Sequence, residues 1–107
     1  MAAIGIVVYH IEDEGCLNGT FANKEAGTFY NEIARKSDGK ETLEGDYICA
    51  YIDANDKVYT GTMTISKQDE IYHLTQYVHC KNGEIASFQG MGLKSGANQL
   101  AVSYLPE

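Results

Sequence analysis

The sequence predicts an all-β protein, an eight-stranded antiparallel up-and-down closed β-barrel occupying residues 1–107 as a single domain. Three observations carry that expectation. Turn residues cut the chain into eight short runs rich in Val, Ile, Tyr, Thr and Phe, the side chains that suit a pleated surface. Several runs alternate with period two, as strands with one dry face do. The first and last runs are both apolar and nearly free of charge, so leaving either as a sheet edge would invite aggregation. Pairing them with each other removes both edges.

The first run, Ala3 to Ile11, closes at Glu12-Asp13-Glu14-Gly15. The second, Cys16 to Ala22, ends at Asn23-Lys24-Glu25, and the third, Ala26 to Ala34, is followed by a polar loop from Arg35 to Thr42. Leu43 to Ile52 is the fourth, ending at Asp53-Ala54-Asn55-Asp56. The fifth, Lys57 to Ser66, places Tyr59, Gly61, Met63 and Ile65 on one side and Thr60, Thr62, Thr64 and Ser66 on the other. Its turn is Lys67-Gln68-Asp69. The sixth run, Glu70 to Cys80, stops at Lys81-Asn82-Gly83, and the seventh, Glu84 to Leu93, stops at Lys94-Ser95-Gly96. In the eighth, Asn98 to Leu105, Leu100, Val102 and Tyr104 face one way, and Pro106 ends it. Connections this short favour hairpins and hence a meander. Eight strands at this spacing suit a barrel or a sandwich, and glycines inside the runs suit the sharp bends of a small closed sheet. The stretch from Gly27 to Lys36 is the best helical alternative, but its Thr, Phe, Tyr and Ile favour a strand.

Fifteen acidic against 8 basic residues give a net charge of −7 over 107 residues. That balance argues against nucleic acid, whose phosphates are met by Lys and Arg, and against anionic lipid surfaces. No apolar stretch approaches the roughly 20 residues of a membrane-spanning helix. The start of the chain shows neither the basic n-region nor the small-residue cleavage site of a secretory signal. Cys16, Cys49 and Cys80 are odd in number and far apart, without a C-x-x-C pair, and read as small core residues; one disulfide with a leftover thiol is the alternative. A reducing, cytoplasmic compartment is the expectation.

These residues resemble a poorly characterised family of small calycin-like (avidin/lipocalin-like) β-barrel proteins. The lead strand ends in Val8-Tyr9-His10-Ile11, like the family's aliphatic-Tyr-x-aliphatic step, and Leu17-Asn18-Gly19-Thr20-Phe21 and Gly27-Thr28 follow in order. Gly45-Asp46-Tyr47, Tyr59-Thr60-Gly61 through Ile65, and Tyr72-His73-Leu74-Thr75 are similar to its central steps. Gly90-Met91-Gly92-Leu93 and Leu100-Ala101-Val102-Ser103-Tyr104 resemble its end. Gln76 stands where the family typically carries Trp. The resemblance covers nearly the whole chain and implies a fold more than an activity. It also implies that Tyr72, Leu74, Gln76 and Val78 face inward, leaving His73, Tyr77 and His79 outside. A more local likeness is to avidin-type barrels, whose opening Gly-Thr-Trp-x-Asn step is similar to Gly19-Thr20-Phe21-Ala22-Asn23 and Gly27-Thr28-Phe29-Tyr30-Asn31. Biotin sites of that class are walled by tryptophans, and this chain has 0. A tyrosine-lined pocket for another ligand is the open alternative.

Chemistry-bearing motifs are sparse. His73 and His79, six residues apart on one strand face, would be roughly 20 Å apart at about 3.3 Å per residue, too far to share a metal. Asp53-x-Asn55-x-Lys57 lacks the Gly and closing Glu of a calcium loop, and no phosphate loop, nucleophile elbow or dinucleotide fingerprint occurs. The acidic clusters sit in turns, where like charges are solvated. Glu32 and Asp46 lie within strands and become interesting only if they point inward. No catalytic residue, metal or cofactor is expected.

The tyrosines remain, 8 of them. Buried hydroxyls want partners, which Gln76 and Gln89 can supply. An eight-stranded barrel is either filled by its own side chains or holds one small ligand; side chains this large favour a largely filled interior. The expected function is non-catalytic binding of a small apolar or aromatic ligand at one barrel mouth, near Tyr47, Tyr59, Tyr72 and Gln76. The alternatives are a packed scaffold that forms a homodimer through an outer strand face (Ile71, His73, Tyr77 and His79) and a small enzyme built on a buried carboxylate or histidine.

Overall fold

Alternating side chains and short polar turns produce eight strands in the computed structural model, which describes residues 5–23, 30–37, 42–52, 57–79 and 83–106. They are β1 (Gly5–Ile11), β2 (Cys16–Asn23), β3 (Tyr30–Lys36), β4 (Gly45–Ile52), β5 (Val58–Gln68), β6 (Ile71–His79), β7 (Ile85–Gly96) and β8 (Gln99–Pro106). Each is antiparallel to the next, and β8 returns to β1 to close the barrel. At the seam Val7 pairs with Val102 and Gly5 with Tyr104. The helical content among the described residues is one 3₁₀ turn, Asp13–Gly15, and no helix there is long and apolar enough to cross a membrane.

Strand ends differ from the sequence reading where polar residues turn out to pair. β3 continues through Arg35 to Lys36, which the sequence places in a loop. Lys36 is buried: its alkyl stem lies in the core while its ammonium reaches the Thr42 carbonyl and hydroxyl oxygens. β5 runs on through Lys67 and Gln68, leaving Asp69 and Glu70 as the turn, with Asp69 at φ 57. Asp tolerates that left-handed conformation better than most residues. β7 extends to Gly96 with a register irregularity between Lys94 and Gly96. Cys80, the expected turns at 24–25, 53–56 and 81–82, and the start of the third run lie outside the described residues.

Period two sorts the interior. Tyr9 and Val7 of β1, Leu17 of β2, Ala34 of β3, Tyr47, Cys49 and Tyr51 of β4, Met63 and Ile65 of β5, Tyr72 and Leu74 of β6, and Leu100 and Val102 of β8 form the core. The inward sets expected on the fifth, sixth and eighth runs are all found.

The barrel has two unlike ends. At the base, where β1 joins β2, β3 joins β4, β5 joins β6 and β7 joins β8, Leu17, Tyr47, Ile65, Tyr72 and Leu100 pack together. The segment leading into β4 is tied down over them. The Tyr47 hydroxyl donates to the Leu43 carbonyl at 2.7 Å, and Lys36 holds Thr42. Gly45, at φ 141, lies under the Lys36 stem, where a Cβ would fall 2.4 Å from Lys36 Cε. The other end, the mouth, is where β2, β4, β6 and β8 end and β1, β3, β5 and β7 begin. Phe21, Tyr59, Val78, Phe88 and Tyr104, inward residues at this end, are half-buried. Phe21 meets Tyr51 edge-on at 6.2 Å, and Phe88 meets Tyr104 edge-on at 5.8 Å.

The β5 and β6 backbones approach closely at Gly61. A Cβ on Gly61 would fall 2.1 Å from the backbone oxygen of Tyr77, which a flexible side chain cannot relieve. Gly61→Ala therefore costs about 2 kcal/mol or more in urea denaturation. Gly96→Ala, where nothing lies within 4 Å, changes stability by less than about 0.5 kcal/mol.

Candidate functional site

Between the aromatic mouth and the packed base lies a polar cluster. Strand parity turns Glu32 of β3 inward, opposite Gly19 on one side and Tyr51 on the other. The carboxyl is 2% exposed. Tyr9, from β1, donates its hydroxyl to Glu32 Oε2 at 2.8 Å. Gln76, from β6, places its amide nitrogen 3.1 Å from the same oxygen, 3.0 Å from the Tyr9 hydroxyl and 3.1 Å from Met63 Sδ. Its two N–H groups serve the two oxygens, and the sulfur completes the packing. Gly19 makes room for this arrangement, since a Cβ there would lie 2.9 Å from the Tyr9 ring.

Burial dominates the electrostatics. It raises Glu32 from the ordinary carboxyl value of 4.5 to about 7, against the opposing hydrogen bonds from Tyr9, Gln76 and Cys49. Burial also pushes up the hydroxyls of Tyr9 and Tyr51 and the thiol of Cys49, and the charge of Glu32 adds to each. These three groups are therefore neutral near pH 7, and Glu32 is the one poised to change charge.

The charged side chains buried among the described residues are Glu32 and Lys36. Lys36 is committed to Thr42 at the base, so no buried cation among the described residues offsets Glu32. Beside it, the buried Tyr51 hydroxyl has no hydrogen-bond partner of ordinary geometry; the group set against it is the Cys49 thiol, a weak donor and acceptor. A buried polar group left unpaired costs about 1–3 kcal/mol and calls for an explanation.

The four residues read from the sequence as ligand-binding do not share one end. Tyr59, second in β5, stands at the mouth. Tyr47 and Tyr72 stand at the base, Tyr47 bonded to Leu43 and Tyr72 covered by Lys67, whose Nζ is 5.4 Å from the ring centroid. Gln76 lies between the two ends, inside the cluster. Of the two strand carboxylates, Glu32 points inward, while Asp46 is exposed and accepts a hydrogen bond from Thr64 at 2.9 Å. His10, His73 and His79 are exposed. Cys16 and Cys49 are free thiols, and among the described residues no group of three or more His, Cys, Asp or Glu is placed to hold a metal. Sequence reasoning missed the convergence of Tyr9, Cys49, Tyr51 and Met63 on Glu32. Their inward parity was the available signal, but parity gives a face and not a depth.

No family model, curated protein or solved structure matches this chain.

Glu32 ties stability to pH with an unusual sign. In the unfolded chain the carboxyl ionises near 4.5; in the barrel it holds its proton until about 7. The folded state binds more protons between those values, so stability is fully present below 4.5 and falls as pH rises through about 7. The loss is about 3 kcal/mol. Urea denaturation at about pH 4.5 and pH 8 should show it in the wild type, and Glu32→Gln should remove that part of the pH dependence.

Proposed function

We propose that the protein is a non-catalytic binding module that takes a small, largely apolar or aromatic ligand into one barrel mouth. The observation that carries this reading is the unpartnered Tyr51 hydroxyl, buried beneath half-exposed aromatic side chains at an end left unlike the packed base. Ligand sites of this kind pair an apolar wall with a few placed polar groups. Here Phe21, Tyr59, Phe88 and Tyr104 supply the wall, and Tyr51 with the Glu32 cluster supplies the polar floor. The calycin-like and avidin-like likeness of the strand motifs supports the same reading, since barrels of that kind hold one small ligand. Tyr59 and Gln76 keep their assignment to the ligand; Tyr47 and Tyr72 act on the base that supports it.

Native mass spectrometry of protein purified without denaturation should reveal a co-purified small molecule, and a chain mass with nothing bound in any preparation counts against this reading. Tyr51→Phe removes a hydroxyl that has no partner of ordinary geometry in the free barrel. It should leave the ligand-free protein as stable as the wild type or up to about 1 kcal/mol more stable, while weakening retention of the ligand.

A second reading, homodimer formation, is favoured by the outer surface. Two adjacent cross-strand rows on the outside of β7, β8 and β1 carry Leu93, Ala101 and Val8, then Met91, Ser103 and Ile6. Ile6, Met91 and Leu93 are each more than half exposed, and the rows enclose a shallow apolar trough of about 380 Å³ that Ile71 also lines. None of these residues is acidic. Two copies with a net charge of −7 each meet least repulsion there. The expected strip on β6 joins this face at Ile71 and His73, whereas Tyr77 and His79 lie further along the strand. Light scattering at high concentration should give a dimer, and Leu93→Glu should return it to monomer without unfolding; a wild-type monomer removes the reading.

A further inference from the structure

The mouth has aromatic walls, and its floor is a carboxyl with no internal counter-ion among the described residues. We propose that the ligand is a small organic cation, an alkyl or aromatic amine or a quaternary ammonium, with the Glu32 carboxylate as counter-ion and the rings of Phe21, Tyr51, Tyr59 and Tyr104 as walls. The inference rests on the mouth being a binding site and adds the charge of what it binds.

Three observations carry it. First, an ionised carboxylate buried without a cation is costly, and ordinary proteins pair such a group or keep it neutral. Lys36, the other buried charge, is held by Thr42 at the base and cannot serve. Second, the Tyr9 and Gln76 hydrogen bonds to Glu32 end on one oxygen, Oε2, while the neighbouring Tyr51 hydroxyl has no partner of ordinary geometry, only the weak Cys49 thiol set against it. An amine's ammonium N–H seated between them would meet the carboxylate and give that hydroxyl an acceptor role, whereas a quaternary ammonium would meet the carboxylate through charge alone. Third, the mouth is lined with aromatic rings, and the π face of a ring attracts cations electrostatically, more strongly when water is excluded. The negative charge of the whole chain adds a field that draws cations toward the barrel. An anionic ligand would meet Glu32 with repulsion, and a neutral one would leave the carboxylate uncompensated.

The charge state is set by Glu32 alone. The groups facing it are Tyr9 from β1, Cys49 and Tyr51 from β4, Met63 from β5 and Gln76 from β6; Gly19 pairs with it from β2. Phe88 of β7 stands behind Gln76, and Tyr104 of β8 acts on Tyr51. The tyrosines and the thiol are pushed upward by burial and stay neutral around pH 7. A permanently charged ligand therefore binds more tightly as pH rises and Glu32 ionises.

Calorimetric titration of the full chain tests this, in roughly 0.3 M salt so that the general negative field is screened. The probes are benzyltrimethylammonium, neutral 2-phenylethanol and anionic 3-phenylpropanoate. At pH 8 the cation should bind at least tenfold more tightly than the alcohol, and the anion should bind least. Lowering the pH to 5.5 should erase most of that preference, and Glu32→Gln, checked for its β spectrum by circular dichroism, should level the two affinities. Equal affinity for cation and alcohol in the wild type, or a cation preference that survives Glu32→Gln, overturns the cation assignment and leaves the mouth as a site for neutral ligands. Binding of none of the three overturns both. If the variant does not fold, the wild-type pH profile decides, and an affinity for the cation that is flat from pH 5.5 to pH 8 overturns the proposal.

Discussion

The pairing of β1 with β8 is the constraint on which everything else depends. It turns eight hairpin-linked strands into a tube of fixed width, so every second side chain must share one interior. A flat or open sheet would let Glu32 swing to an edge and meet water. Closure denies it that exit and places it opposite Tyr9 and Gln76, which come from strands far away in sequence. The same closure removes the backbone edges that the apolar first and last strands would otherwise expose.

Within that tube the polar cluster works against stability. A core of Leu, Val and Met at the same positions would carry no desolvation cost, whereas Glu32 retains its proton to about 7 because ionising it inside the barrel is unfavourable. Tyr9 and Gln76 offset part of that cost by converging on one carboxylate oxygen, and Tyr51 remains unpaired. Arrangements in which local stability is given up are the ones in which function is to be sought. The contrast with the base sharpens the point, because there even a buried lysine has its partners.

Much of the fold was legible because strand patterning is local. The inward set Tyr59, Gly61, Met63 and Ile65 follows from alternation alone, and the seam follows from two uncharged end strands. The assembly of the site was less legible, for a geometric reason. Strands of a closed barrel tilt, so a row of paired residues climbs along the axis as it goes round. Tyr47, Met63, Gln76 and Phe88 are successive partners across β4 to β7, yet Tyr47 belongs to the base and Phe88 to the mouth. Inward tyrosines that look equivalent in sequence thus end at different depths, and grouping Tyr47 and Tyr72 with Tyr59 mixed the two ends. Lys36 escaped notice for another reason: a charged residue beside a polar loop reads as solvated, and only the fold of the Thr42 segment over the base supplies its partners. Glu32 was visible as a question about direction, which the pairing of β3 answers.

The Lys36–Thr42 and Tyr47–Leu43 ties have a kinetic corollary. They make the tube a cul-de-sac: any guest admitted at the mouth, as proposed, would have to back out through the door by which it came, with no through-flow to push it along. Its dwell time would then be set by the rings at the doorway, while the plugged floor would determine only how far in it could settle. Residence and reach are thereby assigned to opposite poles of one small cylinder, so natural variation could tune either without disturbing the other.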